Sequence, residues 1–479
     1  MLVRRTDIRH RTTVFPAVSL PIAAALCALP AAAVDLDATP SAPAVYAEEI
    51  VASASVPVTL TNAGGVLDLS TPLAYSFTQG EVRHARLACP DHVRFPAGAV
   101  VVSSDPPSTT IGAINGLGTS AITFSVTALT SGLTASDRLT VSGDREITSA
   151  EDADCSFALY DTPSQALAGG PTGRIVEVAG TYLDFAPSYA LRANSARTAT
   201  ADVEGVDGPF TRFVVEAPTN DATLGQLGGF SYGTVQDVLG SQQPLTPAGV
   251  PVTLADLMDG ATALVVTGDF QAAATVFLSS LDDCSTNVIA ADSFDANEAR
   301  FTLGSADAVG RFVCYAAGAD EIQASSYAVS LDPVPVSPAY AVTPRGPEAL
   351  GAIVRNGTEL MAPLVQIEAG MLSRVVLTNT GAEKRRFTLQ LLSSAAGSPS
   401  EVDSTYIGIT SSDGTIPAEG AVVVNLADAF PRERFQGPAR AAIRAIISAP
   451  SGQIQGLYQI VDPARGAVSN HVMVRPGSN

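Results

Sequence analysis

Short apolar runs alternate along this chain with clusters of Gly, Pro, Asn, Asp and Ser, and apolar residues seldom recur at helical spacing. Residues 56–61, 73–77, 82–87, 99–102, 121–126, 138–141 and 155–160 read as strands, with turns at 62–65, 79–80 and 115–116. A second series occupies 174–178, 197–203, 210–215, 263–266, 275–278 and 299–303, with one helical turn predicted over 254–258. The third series carries the clearest signal. Residues 386–391 alternate strictly, which puts Phe387, Leu389 and Leu391 on one core face. Residues 373–378 precede them across an Asn-Thr-Gly-Ala turn, and 421–425, 441–448, 453–461 and 467–474 supply further strands.

Two stretches share a plan. In 310–333 and 439–463 an Arg-containing apolar run leads through a four-residue loop, 317–320 or 449–452, into a run with Ile-Gln near its start, a Tyr, and a terminal Asp-Pro. Each reads as the closing hairpin of a β-sandwich. Pro163 with the Gly/Pro cluster at 169–173 suggests one linker, and the Pro-rich 332–338 a stiff second one. The expected fold is all-β, with tandem immunoglobulin-like sandwiches at 34–165, 166–338 (one module or two) and 339–479. Residues 34–45 read as a flexible lead.

Composition supports short strands over long helices: aromatics are 6%, Trp is absent, and 40 Gly and 32 Pro punctuate 479 residues. Residues 1–33 read as a signal peptide, with Arg4, Arg5, Arg9 and Arg11, an apolar stretch, and an Ala31-Ala32-Ala33 cleavage site. Beyond it no apolar run is long enough to span a bilayer as a helix. The expected location is therefore exported, at the cell surface or outside the cell, alternatively the periplasm. The leader holds four Arg and one Asp, so the processed chain would carry 23 basic and 46 acidic residues, formally -23. Such a surface repels nucleic acid and anionic lipid. This acidic β composition, with one Lys and no Trp, is similar to that of bacterial surface-layer and other envelope structural proteins, a likeness of class that rests on no motif.

The chemistry-bearing residues are few. Once Cys27 leaves with the signal, Cys89, Cys155, Cys284 and Cys314 remain, and three pairings are open. Cys89 with Cys155 and Cys284 with Cys314 are expected, because each bridge then stays within one domain. His84, Cys89, Asp91 and His92 have the spacing of a metal site, but in an oxidising compartment Cys89 is better explained as half of a disulfide. With His471 as the one other His past the leader, and no Gly-x-Ser-x-Gly turn, a Ser/His hydrolase is not expected. Acidic groups at 151–154, 202–207, 282–283 and 292–298 are raw material for calcium, with Asp292, Asp295 and Glu298 the first candidates, although none fits the twelve-residue calcium loop. No other metal and no organic cofactor is expected. The reading is a non-catalytic structural or adhesive protein of the bacterial envelope or extracellular matrix, whose partners are envelope proteins, itself or surface glycans. A secreted carbohydrate-binding or carbohydrate-processing protein that uses the acidic loops is the alternative.

Overall fold

The computed structural model describes residues 34–36, 42–97, 101–105, 109–129, 132–207, 209–286, 289–303, 310–367, 370–394, 406–408, 414–430 and 440–475. Residues 1–33, whose sequence reads as a signal, lie outside them, Cys27 included. Strands dominate, helices are single short turns, and the chain is all-β, built as tandem immunoglobulin-like sandwiches. It divides into two compact units. Of the described residues, the first takes those within 34–44, 61–145 and 154–182; the second takes those within 45–60, 146–153 and 183–475.

In the first unit one sheet runs Val34–Asp35, Leu69–Pro72, Arg138–Ser142 and Val101–Asp105. The expected flexible lead thus begins as a strand, parallel to Leu69–Ser70, because Val34 and Leu36 bury their side chains in the core. In the second sheet Val82–Ala88 pairs with Ala121–Ala128 and Ala153–Tyr160. The strict alternation of burial in Ala121–Ala128 is that of a strand with one wet face. The segment read as a first linker holds a helix, Pro163–Ala168. Its Thr162/Gln165 capping box satisfies the first-turn donors, and the C-terminal Gly169 has a positive φ.

Two sandwiches make up most of the second unit. The middle one packs a five-stranded sheet (Tyr189–Ala196, Leu224–Thr234, Arg311–Ala317, Ala273–Ser279, Ile289–Ala290) on a six-stranded sheet (Thr198–Ala201, Arg345–Arg355, Ser325–Asp332, Ala263–Thr267, Glu298–Thr302, Ser293–Phe294). Its core is aromatic. Tyr315 lies 5.7 Å from Phe213 and 6.1 Å from Phe270, and Phe270 lies 5.2 Å from Tyr327, which comes from the opposite sheet. Burial pushes both Tyr hydroxyls far above their ordinary pKa. Beyond the Pro-rich segment the chain returns to this sandwich as Arg345–Arg355, so the C-terminal sandwich starts at Thr358.

The C-terminal sandwich pairs Thr358–Gln366, Arg440–Ile447, Arg385–Ser394 and Tyr406–Gly408 in one sheet, and Gly420–Asn425, Leu372–Asn379, Ile454–Asp462 and Ala467–Val472 in the other. Phe387, Leu389 and Leu391 are buried together in its core, as their alternation predicts.

The two matching stretches are not hairpins. Arg311–Ala317 and Ser325–Asp332 belong to opposite sheets, and so do Arg440–Ile447 and Ile454–Asp462. Each first strand already has two neighbours within its own sheet, so the chain after it arches across the core. A strand-loop-strand pattern is the same for a hairpin and an arch, which is why periodicity misleads here. The two copies nonetheless agree in topology, and the matching Tyr327 and Tyr458 are both buried with the hydroxyl bonded to backbone. Tyr327 Oη donates to the Asp269 carbonyl at 2.6 Å, and Tyr458 Oη accepts from Gln366 N–H at 2.9 Å. The turn after Leu372–Asn379 also leads across the sandwich. There Asn379, fully buried, donates to the Glu383 and Pro417 carbonyls and accepts from Gly381 N–H.

Candidate functional site

Cys89 and Cys155 form a disulfide in the first unit, and Cys284 and Cys314 form one in the second. The Cys284–Cys314 bridge packs with Phe277 on the outer face of the five-stranded sheet. His84 sits on Val82–Ala88, where burial and the neighbouring Arg83 lower its pKa. With Cys89 in a disulfide the thiolate that a metal would need is gone.

The acidic loops spend their carboxylates locally. Asp295 Oδ1 accepts from Asn297 N–H at 2.7 Å and Glu298 N–H at 3.0 Å, which closes the turn between Ser293–Phe294 and Glu298–Thr302 and lowers the Asp295 pKa. Asp292 Oδ2 accepts from Thr302 N–H, and Glu298 lies 3.8 Å from Arg300. Elsewhere Asp202 accepts from Glu204 N–H and Asn356 Nδ2, Asp283 from Ser285 N–H, and Asp152 from Phe185 N–H. Among the described residues no group of three or more His, Cys, Asp or Glu is placed to hold a metal ion. Nor is any described helix long and apolar enough to cross a membrane.

What the second unit does present is an open seam along the C-terminal sandwich. Ala467–Val472 is the last strand of its sheet, and all six residues are exposed, Val472 at 75% and Val468 at 56%. It pairs antiparallel with Ile454–Asp462, Leu457 opposite Val472 and Asp462 opposite Ala467. Strand alternation turns Ser469 and His471 toward the same side as Tyr458 and Ile460, the side that elsewhere faces the core. The facing sheet does not cover them: its edge strand bulges between Ala362 and Val365, at Pro363-Leu364. The result is a cleft of about 400 Å³ lined by Leu364, Tyr458, Ile460, His471, Val472 and Val474. Within it the His471 ring lies 6.1 Å from that of Tyr458, and His471 Nε2 is 2.9 Å from Ser469 Oγ. Backbone bonds between Met361 and Val474 close one end.

An edge strand offers a row of backbone donors and acceptors to another chain, and proteins usually guard it with Lys, Pro or inward charge. The sequence AVSNHV has none of these. The sequence predicts a strand over 467–474, but its edge position depends on the order of strands across the sheet, which periodicity does not carry.

No family model matches this chain, and no curated protein matches it. Solved structures that align with it include the pilus backbone RrgB of Streptococcus pneumoniae (10% identical, 90% of this chain and 88% of that chain, TM-score 0.15). A putative membrane-anchored protein from Corynebacterium diphtheriae (8%, 89% and 88%, TM-score 0.19) and a marsupial T cell receptor (8%, 85% and 98%, TM-score 0.18) also align. TM-scores this low mark no common superposition of whole chains, and the fold stands on the sheets described above.

Proposed function

We propose that this chain is an exported, non-catalytic structural or adhesive protein of the bacterial envelope or extracellular matrix, which acts by presenting β-sandwich surfaces to neighbouring molecules. The observation that carries the reading is the unguarded edge strand Ala467–Val472 beside the open seam, a surface suited to strand addition by a partner or by a second copy. Two further features support it. Disulfides within the units suit an oxidising compartment. The acids that the carbohydrate alternative would use are bound into their own turns.

The test is fractionation of native cells, followed by light scattering and electron microscopy of the purified protein with and without calcium. Recovery with the envelope or matrix and concentration-dependent assembly are expected. A soluble periplasmic monomer that never assembles or adheres, and turns over a glycan, would overturn the reading.

A further inference from the structure

The sheet that ends in Ala467–Val472 is nearly without charge. The chain holds 47 acidic residues, yet the four strands of this sheet carry one, Asp462 at a strand end, and one Arg, Arg374. On the face turned away from the core, side chains line up in rows across the strands. Val423, Val376, Leu457 and Val472 make one apolar row, and Leu372, Val461 and Val468 make another. Between them Arg374 donates to Gln459, and Gln459 Nε2 donates to Asn470 Oδ1 at 2.6 Å. The three rows reach the free edge as Val468, Asn470 and Val472, all exposed.

The backbone singles out the same three residues. Met473 N–H donates to the Gly456 carbonyl, inside the sheet, whereas Val474 exchanges both of its backbone bonds with Met361. Alternation therefore points the N–H and C=O of Val468, Asn470 and Val472 out of the sheet, and Val474 ends the free run. Asn470 is the midpoint. Two copies set antiparallel about a two-fold axis at Asn470 bring Val468 against the partner's Val472 and Asn470 against the partner's Asn470. Moving the axis to Ser469 or His471 puts Asn470 against a Val, and an axis between residues sets the outer face of one copy beside the core face of the other.

We propose that this edge pairs with the same edge of a second copy, antiparallel and centred on Asn470, which joins two four-stranded sheets into one. The inference rests on the reading of this edge as the binding surface, and it adds the partner and the register. Each facing pair of outward residues exchanges two backbone bonds, and Asn470 Nδ2, which the side-chain ladder does not use, donates to the partner's Asn470 Oδ1. Charge favours a copy as the occupant. Like copies of a chain with formal charge -20 repel over most of their surface but not along this sheet, and a basic partner would find no acid on the edge strand. An edge about 20 Å long and about 10 Å thick presents far less than the roughly 800 Å² per partner of a stable interface. The pair is therefore weak in dilute solution and forms where the chain is concentrated.

The experiment is cysteine crosslinking of the full chain in a Cys27→Ser background, with the other four Cys held in their disulfides. Ser469→Cys, Asn470→Cys, His471→Cys, Val472→Cys and Val423→Cys are each oxidised with copper phenanthroline and scored as dimer on a non-reducing gel. In the proposed register the two copies of residue 470 have Cα atoms about 5.5 Å apart, within disulfide reach, and the two copies of residue 472 lie about 14 Å apart along the strands. Asn470→Cys should give about tenfold more dimer than Val472→Cys. Asn470→Pro removes an N–H that the sheet does not use, so the chain should fold while self-association measured by light scattering weakens about tenfold. Dimer formed best by Ser469→Cys or His471→Cys would overturn the register and keep the edge as the contact. Equal dimer from Val423→Cys, or undiminished association of Asn470→Pro, would refute pairing through Asn470. No dimer from any variant, with envelope recovery of the chain lost on Val472→Lys, would replace the second copy by another partner at this edge. No dimer and no effect of Val472→Lys on recovery would sink both the pairing and the reading of the edge on which it rests.

Discussion

Arg145 is fully buried, and its partners are carbonyl oxygens and ring faces. It donates to Gly143, Asp144, Val141 and Leu67, and its guanidinium lies 4.9 Å from the Phe95 ring and 5.6 Å from that of Tyr182, whose hydroxyl donates to the same Leu67 carbonyl. A planar fork can serve several carbonyls and two rings at once, and an ammonium cannot. Arg145→Lys should therefore destabilise the first unit by about 2 kcal/mol, and Arg145→Ala by about 3 kcal/mol, because carbonyls are left unpaired beside a cavity. Urea unfolding followed by circular dichroism measures both, and a Lys variant as stable as the parent would contradict the account. Nothing in the sequence marks this residue: it opens the short strand Arg145–Ile147, which no apolar alternation announces, and an Arg just past a predicted strand is ordinarily solvated. Glu49 is the second such case. It is 2% exposed, accepts from Ser188 N–H and Oγ at 3.1 and 2.8 Å, and lies 3.6 Å from Arg345. Burial nevertheless raises its pKa, with Glu48 adding to the effect, while Arg345, Tyr189 and Tyr340 are the other ionisable groups around it. A carboxyl with a folded pKa above its unfolded one binds more protons in the native state. Its contribution is complete below the unfolded value, near 4.3, and is lost as pH rises through the folded value. Between pH 4 and 7 the parent should lose stability relative to Glu49→Gln, and parallel curves for the two proteins would refute the assignment.

At the scale of elements, existence was legible and partnership was not. Periodicity placed the strands around Phe387 and the short helix Leu254–Leu257, because both depend on local spacing. Sheet membership depends on contacts far apart in sequence, so the local pattern reads two arches as hairpins and puts residues 345–355 one sandwich too late. The arch loops also carry chemistry that no motif announces. Glu321, just before the first Ile-Gln pair, accepts from Arg444 of the second matching stretch at 3.0 Å and lies 3.5 Å from Arg355. Glu359 holds the same two Arg at 3.0 and 2.8 Å. Gln390 accepts from Arg444, and Arg355 lies 4.3 Å from the Phe210 ring. Network members share partners, so deletions will not add. A Glu359→Gln/Arg444→Gln double-mutant cycle should give a coupling of about 1–2 kcal/mol, reduced from the fully buried case by the partial exposure of Glu359. Additive effects would show that the network is only a surface arrangement. The Cys284–Cys314 bridge constrains a separation of 30 residues. Replacing both Cys by Ser should cost about 3.5 kcal/mol in the chain-entropy description, read as the fall in urea stability of the second unit.

At the scale of the whole molecule, charge and edge act against each other. The formal charge of -20 makes copies repel, while the edge Ala467–Val472 offers backbone pairing to any extended segment that reaches it. Repulsion between exposed charges is screened within about 10 Å at 0.1 M salt, whereas strand pairing and apolar contact survive screening. Self-association through this edge should therefore strengthen as sodium chloride rises from about 0.02 to 0.3 M, over the range in which the Debye length falls below the spacing of surface charges. Val472→Lys places a charge on the edge at a side chain already 75% exposed, so folding should be unaffected while assembly is suppressed. Val423→Lys is the matched control, at a similarly exposed Val on Gly420–Asn425, the strand at the opposite margin of the same sheet. Light scattering at matched concentrations separates the outcomes. Loss of assembly in Val472→Lys alone assigns the contact to the seam side, whereas equal loss in both variants would show that added charge, and not the edge, controls association. Assembly that weakens with salt would mean that ion pairs hold the copies together, and the edge would then not be the contact.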